Sequence, residues 1–345
     1  MALSELLASP VVVAPMAGGP SRPALVAGAA SAGAFGFLAA GYKTVPALLG
    51  EIAAVRAAGV TAFGVNVFVP GEPALDGGAL APDALAPDAL ARYVASLGGE
   101  PGRPEWDDDA YDQKISALLA DPPAAVSFTF GCPSPPVISA FRRSGSVVIV
   151  TVTSLEEALV AAEAGAEALC VQGVEAGAHR GTFVNDDDAL ARDYGLLSLL
   201  AIVGSACDLP LIAAGGLMTA AQVRAVRTVG AVAAQCGTAF LRCPESGAHP
   251  LHKAALVDPL STATALTRAF SGRPARGIVN DFMLAHPDAP AAYPEINNAT
   301  RPLRAAAAAA GDTSGMSLYA GQGFRLALDL PAAEVAAMLA GVRLG

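Results

Sequence analysis

Short apolar runs recur along the 345-residue chain and alternate with longer segments in which apolar and polar positions mix. The runs are rich in Val, Ile, Phe and Ala. Runs of this kind, without strict alternation, are typical of parallel strands that are covered on both faces. Eight such strands are predicted, at residues 11–15, 35–40, 63–69, 125–130, 147–152, 168–172, 211–214 and 232–235.

The segments between these strands have helical signals. Thr44 has the position of an N-cap, and Ser154 with Glu157 has the spacing of a capping box. Because strands that alternate with helices form a parallel sheet, eight such units predict an α/β fold, a (β/α)8 TIM barrel with its active site at the carboxyl ends of the strands. A doubly wound open sheet is the alternative, although no GxGxxG motif follows the first strand. Helices are predicted at residues 21–32, 44–58, 136–143, 154–164, 193–205 and 219–229.

One stretch interrupts the alternation. Residues 70–111 are rich in Pro, Gly and Asp and contain the duplication APDAL at 81–85 and 86–90, so they are predicted to be an insertion after the third strand. The acidic triplet at 107–109 is interpreted as a charge cluster at a helix N-terminus rather than a metal site. The whole chain, 1–345, is expected to form one barrel domain, with residues 262–323 as a C-terminal lid on the substrate side.

The amino-acid composition indicates which classes of binding partner are expected. The chain is 53% apolar and carries a net charge of −10 without a Lys/Arg run, so a nucleic-acid or anionic-membrane partner is not expected and a small-molecule substrate is favoured. Five cysteines without a CxxC pair fit a reducing compartment, and the cytoplasm is the expected location. The apolar stretch 24–40 is too short and too interrupted for a membrane span, and the first residues lack the basic start of a signal peptide.

A glycine-rich segment after the sixth predicted strand carries His179, one of only four histidines. Its sequence, residues 168–183, is ALCVQGVEAGAHRGTF, and it is predicted to be a strand that runs into an active-site loop. A histidine in such a place is a candidate acid, base or substrate ligand. A surface histidine in a flexible turn is the alternative, and this segment alone leaves both open.

Amide side chains and glycines collect at the other predicted strand ends. Barrels often bind phosphate with the loops after strands seven and eight, where glycines expose backbone N–H groups. Such a corner together with Asn and Gln side chains suits a flavin, whose ring edge has both donors and acceptors. An asparagine satisfied by neighbouring backbone and an ordinary tight turn are the alternatives for Asn66 and for Gly215-Gly216. His249 and His252, in HPLH, have no carboxylate or thiol cluster beside them, so a helix start is favoured over a metal site.

Eight segments together are similar to one known family. In chain order they are PMAGGPSRP, FGVNVF, VSFTFGCP, QGVEAGAHRGTF, LIAAGGLMTAAQV, QCGTAFL, TRAFSGRPARGI and LYAGQG. They resemble the nitronate monooxygenases, also called 2-nitropropane dioxygenases, over nearly the whole chain except the insertion. The resemblance implies an FMN-dependent barrel, monomeric or homodimeric, that oxidises alkyl nitronates such as propionate 3-nitronate with O₂ to a carbonyl compound and nitrite, without NAD(P)H and without a metal.

The resemblance also implies roles for particular residues. His179 is the expected catalytic residue, and Gln322 is expected to close over the cofactor. The other expected FMN contacts are Met16, Ala17, Gly18, Asn66, Gln172, Gly177, Ala214, Gly215, Gly216, Gln235, Gly237 and Thr238. The substrate side is expected to hold Tyr293, Thr129, Asn297 and Arg301.

Four positions depart from some members of that family. Those members have histidine at Thr129, glycine at Ala178, tyrosine at Asn297 and lysine at Arg301, so the substrate pocket is altered, although Arg301 could still hold an anion. Two other functions stay open at this point. One is a flavin enzyme that reduces enoyl thioesters with NAD(P)H, and the other is a flavin-binding barrel without catalysis.

Overall fold

Eight parallel strands close into a barrel in the computed structural model, which describes residues 3–71, 87–190 and 193–342. The (β/α)8 barrel is confirmed, and the open-sheet alternative is wrong, because β1 pairs with the last barrel strand, β9. The strand order is β1-β2-β3-β4-β5-β6-β8-β9. The strands are β1 (Val11–Val13), β2 (Phe35–Ala39), β3 (Gly64–Phe68), β4 (Ala125–Thr129), β5 (Val147–Val152), β6 (Ala168–Gln172), β7 (Ala178–His179), β8 (Leu211–Ala214), β9 (Ala233–Cys236), β10 (Thr264–Thr267) and β11 (Ala275–Ile278).

Helices cover the outside of the barrel, and their starts follow the capping residues in the sequence. Thr44 accepts a hydrogen bond from the Ala47 N–H, and Ser154 accepts one from the Glu157 N–H. The helices are α1 (Leu3–Leu6), α2 (Pro23–Ala30), α3 (Val45–Ala57), α4 (Pro87–Ser96), α5 (Tyr111–Ala120), α6 (Pro135–Arg143), α7 (Leu155–Glu163), α8 (Leu196–Gly204), α9 (Ala220–Thr228), α10 (Pro250–Ala255), α11 (Asp281–Ala285), α12 (Glu295–Ala310) and α13 (Ala332–Leu339). No helix in these described ranges is long and apolar enough to cross a membrane.

Two elements differ from the sequence-based expectation. The helix expected at 193–205 begins only at Leu196, because the Glu175 carboxylate accepts the Leu196 N–H at 3.0 Å and fixes the first turn there. The segment expected to be a loop around His179 contains β7, which pairs antiparallel with β11. The strands β10, β11 and β7 form a separate three-stranded sheet. The histidine is therefore held by strand pairing with a distant part of the chain.

The chain leaves the barrel after β9 and returns to it only at α13. That last helix packs between α2 and α9 and completes the outer layer. The stretch between them carries α10, β10, β11, α11 and α12, and it includes residues 262–323. For the predicted insertion at 70–111, residues 72–86, including the first APDAL copy, lie outside the described residues, whereas α4 lies within them.

Candidate active site

A cavity of about 540 Å³ lies at the carboxyl ends of the barrel strands. Most residues selected from the sequence meet there, which is the position expected for the active site of this fold. The wall includes Met16, Ala17, Gly18, Asn66, Thr129, Gln172, Gly177, Ala178, His179, Ala214, Gly215, Gly216, Gln235, Gly237, Thr238, Asn297 and Arg301. Two selected residues are not part of the wall. Tyr293 lies just behind it, with its ring 5.6 Å from the His179 ring, and the Gln322 side chain is exposed.

The hydrogen bonds of His179 determine which ring nitrogen carries a proton. His179 Nε2 lies 2.9 Å from Ser271 Oγ. The Ser271 hydroxyl donates to the Arg273 carbonyl at 3.1 Å and accepts from the Arg273 N–H at 3.3 Å. Because the single hydroxyl hydrogen is committed to that carbonyl, we assign the ring hydrogen to Nε2 as the donor to Ser271. The other nitrogen, Nδ1, then keeps its lone pair and can accept a proton.

Aromatic rings surround His179, which is half-buried at the cavity wall. The centres of the Phe130, Tyr293 and Tyr319 rings lie 5.6, 5.6 and 5.5 Å from the centre of the imidazole. Burial, and then the charges of Arg273 and Arg304, lower the pKa of His179 to about 3. The imidazole is therefore neutral at neutral pH. It is not a surface histidine in a flexible turn.

The side chains of Gln172 and Glu157 hold the segment around His179 in place. Gln172 donates from Nε2 to the His179 carbonyl at 3.0 Å and accepts the Gly181 N–H on Oε1 at 2.8 Å. Glu157 Oε1 accepts from the Thr182 hydroxyl and from the Phe183 N–H. The predicted capping box is therefore only half formed, because Glu157 bonds this loop and Thr153 instead of Ser154. With both ends of its amide used, Gln172 positions the histidine, and its contact with a flavin stays a prediction.

Ala178, next to the histidine, has a left-handed backbone with φ +61°. Residues other than glycine rarely adopt this backbone conformation. The conformation gives a physical reason for the glycine that some members of the family have at this position. The strand pairing of His179 with Ala275 compensates for the local strain here.

The amides of Asn66, which is buried, and Gln235, which is half-buried, are partly satisfied within the barrel. Asn66 Nδ2 donates to Ser127 Oγ at 2.9 Å and to Thr129 Oγ1 at 3.0 Å. None of the described residues donates to Asn66 Oδ1, so this acceptor is available to the cavity. Gln235 Nε2 contacts Cys170 Sγ at 3.3 Å. The alternative that neighbouring groups satisfy Asn66 thus holds for its Nδ2 hydrogens but not for its acceptor, Oδ1.

Glycines shape one corner of the cavity after β8 and β9. Gly215 and Gly216 have φ of +140° and +65°, and a Cβ on Gly216 would lie 3.0 Å from Glu175 Cβ. This turn therefore needs glycine, and its bare backbone leaves N–H groups open to an anion. Thr238 Oγ1 accepts the Gly321 N–H at 2.9 Å, which joins the corner to the AGQG segment. Gln322 contributes its backbone N–H, which donates to the Glu175 carbonyl.

Sequence reasoning missed several residues that line the cavity. Phe130 directly follows β4 and Tyr42 lies three residues after β2, so their positions near strand ends were a usable signal. Arg304 lies in the alanine-rich part of α12, where nothing but helix propensity was apparent. Among the described residues no three His, Cys, Asp or Glu side chains come together as a metal site. His249 caps α10, as predicted, with Nδ1 accepting the Leu251 N–H.

The charge of the cavity is opposite to that of the chain. No Asp or Glu from the described ranges lines it, whereas Arg301 and Arg304 do. Arg304 is fixed by hydrogen bonds from one guanidinium nitrogen to the Asn297 carbonyl and to Asn297 Oδ1, at 3.0 and 2.9 Å. Such a cavity attracts anions even though the net charge of the protein is −10.

The site has two sides of different origin. We use "floor" for the residues at the ends of barrel strands, which are Asn66, Gln172, Gly215, Gly216, Gln235 and Thr238. We use "ceiling" for the residues that the chain supplies after β9, which are Tyr293, Asn297, Arg301, Arg304 and Tyr319. His179 lies between them, because β7 follows a barrel strand but pairs with β11.

Residues 1–341 match the sequence model of a family described as nitronate monooxygenase. The chain belongs to this family. The nitronate monooxygenase of Pseudomonas aeruginosa is 39% identical over 341 residues, which are 94% of this chain and 93% of the relative. A probable nitronate monooxygenase of Bacillus subtilis is 36% identical over 322 residues, covering 92% and 91%. The resemblance in the sequence is thereby confirmed, and the protein is a flavin-dependent oxidoreductase.

Solved structures agree with this assignment. A nitroalkane oxidase from Streptomyces ansochromogenes is 48% identical and superimposes with a TM-score of 0.93, covering 98% of this chain and 96% of that one. FabK from Thermotoga maritima has a TM-score of 0.72 at 23% identity, covering 98% and 94%. At that identity the likeness shows a shared fold and nothing about activity.

Proposed function

We propose that this nitronate monooxygenase family member binds FMN and oxidises alkyl nitronates with O₂ to a carbonyl compound and nitrite. One observation carries the proposal: a neutral histidine faces a cavity that has arginines but no carboxylate among the described residues. A nitronate is an anion, so such a cavity favours it over a neutral or cationic substrate. The names of the relatives, nitronate monooxygenase and nitroalkane oxidase, support the same substrate class.

The residues of the floor fit FMN. The turn at Gly215 and Gly216 has the positive φ values and open N–H groups of a phosphate-binding corner, and Asn66 Oδ1 is an available acceptor. A single such corner suits one phosphate, which favours FMN over FAD. When bound, the flavin would take two electrons from the substrate and pass them to O₂.

The side chains of this protein then have separable tasks. Arg301 and Arg304 would attract and orient the anion, and the rings of Phe130 and Tyr319 would keep water from the reacting carbon. If the substrate is a neutral nitroalkane, His179 Nδ1 can accept the proton from the α-carbon. A nitronate has already lost that proton, so His179 would then act only by position and as a hydrogen-bonding group.

The test is an anaerobic comparison of two reductants with the purified holoprotein. We expect propionate 3-nitronate to bleach the flavin, NADH to leave it oxidised, and aerated turnover to release nitrite in proportion to the nitronate consumed. Mass analysis of the released cofactor should give FMN. Rapid bleaching by NADH without reaction of the nitronate would support the enoyl-thioester reductase instead, and FAD in the released fraction would contradict the single-phosphate argument.

A further inference from the structure

Tyr42 stands in an unusual backbone conformation at the rim of the cavity. It lies three residues after the end of β2, and its φ is +65°, a left-handed value that is rare for an aromatic residue. The preceding Gly41 lies flat on Phe68, where an added Cβ would come within 2.3 Å of the ring. The Tyr42 ring meets the Phe68 ring edge-on at 5.5 Å. Tyr42 therefore has a backbone conformation that is unfavourable for an aromatic residue, and contacts with other segments must stabilise it.

The support comes from an ion pair at the start of α5. Asp109 Oδ1 accepts the Tyr42 N–H at 2.9 Å, and Asp109 Oδ2 lies 2.7 Å from Lys114 Nζ. The Lys114 side chain is completely buried. Burial raises the pKa of Asp109, while Lys114 opposes this rise. Asp107 and Asp108 accept N–H groups just before the helix, as the predicted charge cluster would, but Asp109 instead reaches across to another strand end.

The hydroxyl of Tyr42 points to a second phenol. Tyr42 Oη lies 2.9 Å from Tyr293 Oη, and the Tyr293 ring packs against His179. Two hydroxyls have two hydrogens, and the bond between them uses one. No other hydrogen bond from the described residues reaches either hydroxyl, so one O–H remains available as a donor. Burial raises the pKa of both phenols well above the usual value, which keeps both protonated.

Among the described residues, no acceptor on the cavity wall is bonded to this donor. Tyr42 lines the cavity, and no described carboxylate does. Arg301 is on the same side, with its guanidinium carbon 5.9 Å from the centre of the Tyr42 ring. A free O–H beside a guanidinium is a suitable donor set for an anionic oxygen. The Asp109–Lys114 ion pair connects α5 to the turn at Tyr42, and this contact orients the ring that carries the hydroxyl.

We propose that Tyr42 is a substrate-binding residue, that its pair with Tyr293 donates a hydrogen bond to an anionic oxygen of the nitronate, and that Asp109 and Lys114 are positioning residues for this contact. The inference rests on the proposed function, because the nitronate supplies the oxygen.

The first experiment is Tyr42→Phe, which keeps the ring on Phe68 and removes only the hydroxyl. Hydrogen bonds to charged groups are worth about 1.5–3 kcal/mol, so kcat/KM for the nitronate should fall about 10- to 100-fold, mainly through a higher KM. The FMN content should not change. The matched control is Tyr93→Phe, which loses a buried hydrogen bond to the Ala269 carbonyl away from the cavity and should leave KM unchanged.

The second experiment separates positioning from general stability. Asp109→Ala combined with Lys114→Met removes both charges together, so that no buried charge is left alone. We expect a rise in KM in the same direction as for Tyr42→Phe. If Asp109 acts through Tyr42, adding Tyr42→Phe should cause little further loss. Losses that multiply would show that the ion pair does not act through Tyr42.

Nitrate titration of the holoprotein distinguishes failure of this inference from failure of the proposed function. Nitrate is planar and anionic like the nitronate group, and its binding can be followed by flavin absorbance. An unchanged KM and unchanged nitrate affinity in Tyr42→Phe, with normal nitronate turnover in the parent, would overturn the role of Tyr42 alone. If the parent does not oxidise nitronates, the proposed function fails. A loss of nitrate affinity of about tenfold in Tyr42→Phe would then still support the donor, and equal affinity would overturn it.

Discussion

The floor and the ceiling of the cavity are held in place by different kinds of contact. Floor residues such as Gln235 and Gly216 are placed by barrel register, because every parallel strand ends at the same rim. Ceiling residues lie on segments that are held by contacts between distant parts of the chain, as where α12 packs against α4 and Tyr319 pairs with Gly277. The floor uses backbone N–H groups and amides, and the ceiling uses rings and guanidinium groups. We therefore expect floor substitutions to change cofactor affinity and ceiling substitutions to change substrate kinetics.

The largest effect is expected at His179, which joins the two sides. His179→Asn should lower kcat/KM for a neutral nitroalkane about 10²–10⁴-fold, because it removes the base that we assign to the α-proton. The loss with a nitronate should be milder. Steady-state oxygen uptake with both substrates measures this. Ser271→Ala keeps the imidazole and removes only its Nε2 partner, so its effect should be smaller. Equal, small losses of His179→Asn on both substrates would make the histidine structural.

A floor substitution should act on the cofactor. Gly216→Ala places a Cβ at a left-handed position, which is unfavourable by about 1–2 kcal/mol, and a relaxed turn would move its N–H away from the phosphate. The FMN dissociation constant should rise about tenfold in a flavin-fluorescence titration. The control is Gly230→Ala, at φ +115° with nothing within 4 Å of the added Cβ and outside the cavity wall. If the control weakens FMN equally, the effect is global strain.

A ceiling substitution should act on the charged substrate. Arg304→Met removes one guanidinium from the cavity, and a charge interaction of about 1 kcal/mol predicts a KM for nitronate about fivefold higher. Neutral nitroalkanes should be affected less, and the difference should shrink at high salt. Arg325→Met is the control, because Arg325 bonds the Pro259 carbonyl on an exposed loop. A matching loss on neutral and anionic substrates would assign Arg304 to packing instead of charge.

The smallest expected effect is on stability, and it measures how far the surroundings of His179 lower its pKa. Its pKa is about 3 in the folded protein and about 6.5 when unfolded, so the unfolded chain binds the proton first. The stabilisation from this group is complete well above pH 6.5 and is lost progressively as the pH falls through 6.5 toward 3. Relative to His179→Asn, the parent should lose about 0.4 kcal/mol of unfolding free energy between pH 7.5 and 6.5, and more below. Urea unfolding at several pH values measures this, and parallel curves would mean that the imidazole titrates normally.

The sequence could predict site residues where a local pattern marks the end of a strand. The strand ends, Asn66 and the glycines after β8 could be predicted because apolar runs mark where barrel strands stop. The Tyr42–Tyr293 pair could not, since the position of Tyr42 depends on Asp109 and Lys114 in a segment without periodicity. Arg304 could not either, because its place in an alanine-rich helix indicates only helix propensity. The expectation for Gln322 came from resemblance alone. The structure places that side chain in solvent, and its closure over the cofactor remains a prediction.

The return of α13 to the barrel has an evolutionary consequence. Because α13 packs between α2 and α9, the helical layer is completed by the end of the chain, and the ceiling occupies one continuous stretch between β9 and α13. A single exchange of the part between Thr238 and α13 between related genes would replace the ceiling without altering the register of any barrel strand. Diversification of substrate range could thus proceed by recombination at two fixed joints, while the floor is inherited intact.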